Sequence, residues 1–163
     1  MKAVLVLTAL VFASTPPAMA QGEPTGGRAT ALRTLQAARP GLTWRHVRTL
    51  DINCDGMRDD IFTARDATHY YVAAVIATRD GAGRASVVRF QLVGSSQESF
   101  CGRPEPLETE SQDIDFPEIV GEPAPQGFRR STRCLGLRLA VGECDSFHLY
   151  WNHTSGQLDW WRL

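Results

Sequence analysis

Thr68-His69-Tyr70-Tyr71-Val72-Ala73-Ala74-Val75-Ile76-Ala77-Thr78 is apolar on both alternating faces, Tyr70, Val72, Ala74 and Ile76 against Tyr71, Ala73, Val75 and Ala77. Successive side chains of a strand point to opposite sides, so such a run is covered on both and belongs in the middle of a sheet. It is followed by Arg79-Asp80-Gly81-Ala82-Gly83, whose glycines suit a tight reversal. Ser86 to Val93 then alternates, with Val88, Phe90 and Leu92 in and Val87, Arg89 and Gln91 out. The two segments predict a hairpin.

Working outward, the last third of the chain repeats the strand pattern. Leu135, Leu137, Leu139 and Val141 alternate, then Phe147, Leu149 and Trp151, then Leu158 and Trp160, with the turn formers Asn152 to Gly156 before the last strand. This predicts a β-meander. Upstream, Trp44 to Leu50 alternates, and Thr30 to Arg39 carries Leu32, Leu35 and Ala38 at helical spacing until Pro40 stops it. Glu105, Glu108, Glu110, Asp113, Asp115, Glu118 and Glu122 lie among Pro104, Pro106, Pro117 and Pro123 with no basic residue between them. That composition predicts a surface excursion over 103–127 with one short edge strand. The expected fold is α+β, an N-terminal helix packed on a mostly antiparallel sheet of about six to eight strands. It forms one domain over 28–163 with a disulfide-tied loop.

The N-terminus pairs Lys2 with the apolar run Ala3 to Ala13, the breakers Pro16 and Pro17, and the small residues Ala18-Met19-Ala20. This is the pattern of a cleavable secretory signal over 1–20, cut before Gln21, followed by a flexible segment over 21–27. The run is about half the length of roughly 20 apolar residues that a membrane helix needs, so no span is expected in the mature form. The destination is then periplasmic or extracellular. With Lys and Arg totalling 17 and Asp and Glu 18, the net charge of −1 offers nothing that would recruit nucleic acid.

Export makes the four cysteines readable as bridges. Cys134 and Cys144 flank one apolar strand and a short turn, which favours pairing them and leaves Cys54 with Cys101. All three pairings of four cysteines remain open to sequence reasoning.

The densest chemistry lies in Asp51-Ile52-Asn53-Cys54-Asp55-Gly56-Met57-Arg58-Asp59-Asp60. Oxygen-bearing side chains stand at positions 1, 3, 5 and 9 of this loop, and glycine stands at position 6. Alternate residues of a loop that curls around a point face inward, so Asp51, Asn53 and Asp55 can converge on one hard cation, which takes about six to eight oxygens. Gly56 permits the turn that brings in the Met57 carbonyl, and Asp59 closes the far side. The pattern resembles the DxNxDGxxD calcium loop of FG-GAP and VCBS-type β-repeats, and the first nine positions of an EF-hand or dockerin loop. The resemblance implies structural Ca²⁺ in a loop between two strands, with Asp51, Asn53, Asp55, Met57 by its carbonyl, and Asp59 as ligands. It covers only this segment. Phe62 stands where an EF-hand places its bidentate glutamate, and Cys54 replaces the usual glycine of the β-type loop, tying it to the disulfide framework.

No GxSxG elbow or HExxH motif occurs, and His46, His69, His148 and His153 are scattered, so no catalytic residue is assigned. His148 shares its strand face with Ser146 and Tyr150 and is the candidate for a polar groove. Trp160 and Trp161 point to opposite faces, one into the core, the other exposed or under the N-terminal helix. An exposed one would stack on a sugar or dock a protein. The expected function is a non-enzymatic, exported calcium-binding domain that engages a protein or glycan at the cell envelope. Two alternatives are a periplasmic inhibitor or adaptor of a basic hydrolase, using the acidic excursion, and a small hydrolase with an unrecognised site, which a pocket gathering His148 with a carboxylate would favour.

Overall fold

The computed structural model describes residues 26–81 and 83–163. The signal expected over 1–20 and the segment up to Thr25 lie outside them, while Gly26 and Gly27 open a helix. The elements are α1 (Gly26–Ala38), β1 (Arg45–Leu50), β2 (Asp59–Arg65), β3 (His69–Ile76), β4 (Arg84–Gln91), β5 (Glu108–Gln112), α2 (Phe116–Ile119), β6 (Ser131–Val141), β7 (Cys144–Asn152) and β8 (Gln157–Trp161). Among them no helix is long and apolar enough to cross a membrane.

The strands form two antiparallel four-stranded sheets, β1-β2-β3-β4 and β5-β6-β7-β8, where one sheet was expected. The correction has a physical reason. Alternation in the N-terminal and C-terminal strands gives each sheet its own apolar face, and two such faces bury best against each other. Leu50, Ile61, Val72, Ile76 and Phe90 of the first sheet meet Leu137, Val141, Phe147, Leu149 and Leu158 of the second in one core. Phe90 and Phe147, both fully buried, sit 4.4 Å apart between ring centroids at its centre.

β3 is apolar on both sides because it is covered twice. Its Tyr71, Ala73 and Val75 face away from the second sheet and join Phe62, Trp44 and the α1 residues Ala31 and Leu35 in a separate cluster. Val87, expected to face out, also packs against this cluster. The layers therefore run α1, first sheet, second sheet. The sheets are joined at one side, where the Leu158 amide donates to the Ser86 hydroxyl at 2.8 Å and the Arg84 guanidinium donates to the Gly156 carbonyl.

The bridges are Cys54–Cys134 and Cys101–Cys144, which overturns the pairing of Cys134 with Cys144. Cys134 and Cys144 lie on the neighbouring strands β6 and β7, and each is drawn instead to a loop of the other half. Cys54–Cys134 ties the β1–β2 loop to β6, and Cys101–Cys144 ties the segment after β4 to the start of β7. At the second bridge the backbones of Gly102 and Gly142 approach so closely that a Cβ on Gly102 would lie 2.9 Å from the Gly142 Cα. Only glycine fits there on either segment. Leu135, expected to face inward, is 41% exposed, because β6 overshoots the core at its start.

Candidate functional site

The oxygen-rich loop connects β1 to β2 at one end of the first sheet. Its shape follows from two left-handed residues, Cys54 at φ 64° and Gly56 at φ 88°. Gly56 adopts this at little cost, whereas Cys54 holds a conformation that L-residues disfavour by roughly 1–2 kcal/mol. The reversals wind the chain back on itself so that short polar side chains accept from nearby amides. The Asp51 carboxylate takes the amides of Asp55 at 3.1 Å and Gly56 at 2.9 Å. The Asn53 side-chain oxygen takes the Asp55 amide at 3.1 Å, and its nitrogen donates to the Asp55 carboxylate at 2.9 Å. The Met57 amide donates to the other Asp55 oxygen at 2.8 Å.

Asp51, Asn53 and Asp55 are thus gathered over the amides of residues 55–57. Asp59 is not with them in the way its position in the loop suggested. It is fully buried, and its two oxygens accept from the Ile52 amide at 3.0 Å and the Ala77 amide at 2.8 Å, joining the loop to the end of β3. Burial pushes its pKa up to about 6 against those two hydrogen bonds, and the charges of Asp55 and Asp51 add to the rise. Among the described residues no three His, Cys, Asp or Glu side chains converge as a metal-holding group. Beside the loop lies a cleft of about 450 Å³ that touches Asn53, Asp55 and Met57 on one side and Arg79, Arg84 and Trp151 on the other.

The other candidates lie on the outer face of the second sheet. His148 Nδ1 and Glu110 Oε2 are 2.8 Å apart, and the His148 ring stacks on Trp161 at 4.1 Å. Trp161 also meets the ring of Phe116 in α2 at 4.9 Å, while Trp160 packs into the core against Phe147 and Phe90. Neither tryptophan is exposed, and Trp161 lies under the acidic excursion and not under α1. The excursion folds back by its aromatics and is neutralised in part within the chain. Arg130 binds Asp113 at 2.6 Å and Asp115 at 2.7 Å, and Arg138 binds Glu108 at 3.1 Å. The sequence signal for this fold-back was Phe116 and Phe128, each flanked by charge or proline yet too large to leave in water.

His148 does have a carboxylate partner, yet neither it nor Glu110 lines any of the three main clefts. Comparison of the chain with known protein families, with curated proteins and with solved structures returns no match.

Proposed function

We propose that this chain is an exported, non-enzymatic β-rich domain stabilised by Ca²⁺, which engages a protein or glycan partner at the cell envelope. The observation that carries the reading is the double reversal at Cys54 and Gly56, which folds the side-chain oxygens of Asp51, Asn53 and Asp55 over the amides of residues 55–57. These are hard donors, the chemistry that Ca²⁺ selects. Each carboxylate oxygen has a lone pair beyond the amide it accepts from, so the loop's own hydrogen bonds and an ion are compatible. Asp51, Asn53, Asp55 and the Met57 carbonyl would hold the ion, and buried Asp59 would contribute negative charge from behind.

Bound Ca²⁺ would balance the negative charge of Asp51 and Asp55 and would fix the loop that Cys54–Cys134 anchors to the second sheet. Its role is structural. Two disulfides agree with an oxidising destination. The partially self-neutralised excursion weighs against the adaptor reading, and the absence of His148 from the three main clefts weighs against the hydrolase reading. Thermal melts of the mature protein test the proposal. Millimolar Ca²⁺ should raise Tm, by about 1.4 kcal/mol of stabilisation for each tenfold of ligand beyond Kd, and EDTA should reverse the gain. A melt unmoved by both, or an equal shift in Asp51→Asn/Asp55→Asn, refutes it.

A further inference from the structure

At the end of the first sheet remote from the loop lies an open cleft of about 890 Å³, lined by β1, the end of β2 and the start of β3. It is closed on its far side by the strap Arg103–Leu107, which precedes β5. The register explains why this end is open. On the core-facing side of the first sheet the inner positions hold Leu50, Ile61, Val72 and Phe90. Continuing along the same face, the pairs Arg45 with Thr63 and Arg65 with Tyr70 occupy the positions where alternation calls for apolar side chains. Arg48, opposite Ile61, lies between the two regions.

The strands therefore change from a sealed core to a basic wall without changing face. Arg45, Arg65 and Arg103 are exposed along the cleft, and none of the ion pairs among the described residues involves them. Arg48 is half-buried and holds the strap: it donates to the Leu107 carbonyl at 3.1 Å and to the Thr109 hydroxyl at 3.4 Å, and its Nε is sealed from solvent. Glu105 is the one acidic side chain lining the cleft, against four arginines, in a chain whose overall charge is −1. The concentration of positive charge is local and not a consequence of composition.

We propose that this cleft binds a small organic polyanion, with phosphate or carboxylate groups taken by Arg45, Arg65 and Arg103, and its less polar body lying against Tyr70. Planar guanidinium groups present parallel N–H donors that match either oxyanion bidentately, and several arginines along one cleft call for more than one negative charge. The volume falls within the range of about 300–1,000 Å³ that holds drug-sized ligands, well beyond a single inorganic ion. The site is independent of the calcium loop, which lies at the other end of β1.

Calorimetric titration of the mature protein, freed of metal by EDTA and dialysed, with pyrophosphate and with citrate, at ionic strength fixed by sodium chloride, tests this. At least one should bind saturably at one site, and the stronger identifies the ligand as phosphate or carboxylate. The double variant Arg65→Gln/Arg103→Gln, which alters only exposed side chains, should weaken binding tenfold or more with an unchanged circular dichroism spectrum. Asp55→Asn should leave the affinity unchanged. Failure of both anions to saturate, equal binding by the double variant, or binding of a polyglutamate peptide alone would overturn the proposal.

Discussion

Replacing both members of the Cys54–Cys134 bridge, in Cys54→Ser/Cys134→Ser, should cost this protein about as much as its largest single core truncation. The bridge spans 80 residues, and the chain-entropy relation gives about 4.5 kcal/mol for a loop of that length at 25 °C. The second bridge lowers the figure. Because Cys101–Cys144 interleaves with the first, the shortest covalent path from Cys54 to Cys134 runs through it and is roughly 60 residues, which gives about 4 kcal/mol. For a domain of this size that corresponds to a Tm lower by roughly 10–15 °C. Differential scanning calorimetry of the variant beside Cys101→Ser/Cys144→Ser is the assay. Because Cys54 sits inside the oxygen-rich loop at φ 64°, the first variant should also lose calcium affinity, while the second should not. A Tm change under about 3 °C in the first variant, or peptide mapping that joins Cys134 to Cys144, would refute the reasoning.

Phe147→Ala empties the centre of the core beside Phe90 and should destabilise by about 3–5 kcal/mol in urea unfolding, with the m-value unchanged. Gly136→Ala should cost about 1–3 kcal/mol in the same assay, because its Cβ would lie 2.7 Å from the Leu149 carbonyl and 2.0 Å from the Gln112 amide nitrogen. Asp66 caps the β2–β3 turn, and its carboxyl is held well below the ordinary value by the Thr68 amide, the Tyr71 hydroxyl and the His69 amide. A depressed folded pKa lends stability that is complete above the unfolded value of about 4 and is lost as pH falls toward the folded one. Asp66→Asn should therefore flatten the acid limb of the stability profile below about pH 4, and a wild-type limb retained by the variant would contradict that assignment.

Much of the strand layout was legible because it rests on local alternation. The two-faced run from Tyr70 to Ile76, the hairpin into Phe90 and the inward series Leu137, Leu139, Val141 are each decided by period-two patterning. Which face meets which partner is not local, and there the reading fell short. Nothing in the spacing of Cys134 and Cys144 reveals that the loops bearing Cys54 and Cys101 lie nearer to them in space. Leu135 fits the inward series yet is exposed, since alternation does not say where the opposing sheet ends. Asp59 matched the ninth position of a calcium loop, and its burial beneath Ile52 and Ala77 depends on β3, which the loop's own sequence does not describe. The arginine cleft was invisible for the same reason: Arg45, Arg65 and Arg103 are unremarkable surface residues until pairing of β1 with β2 and the return of the strap bring them together.

The calcium reading is tested most directly by native mass spectrometry of the oxidised mature protein and of Asp51→Asn/Asp55→Asn, each with and without Ca²⁺. The wild type should carry two disulfides and one Ca²⁺ that EDTA removes, and the variant should keep both disulfides and bind none. A wild-type spectrum without a calcium adduct, or equal adducts in both proteins, would contradict it.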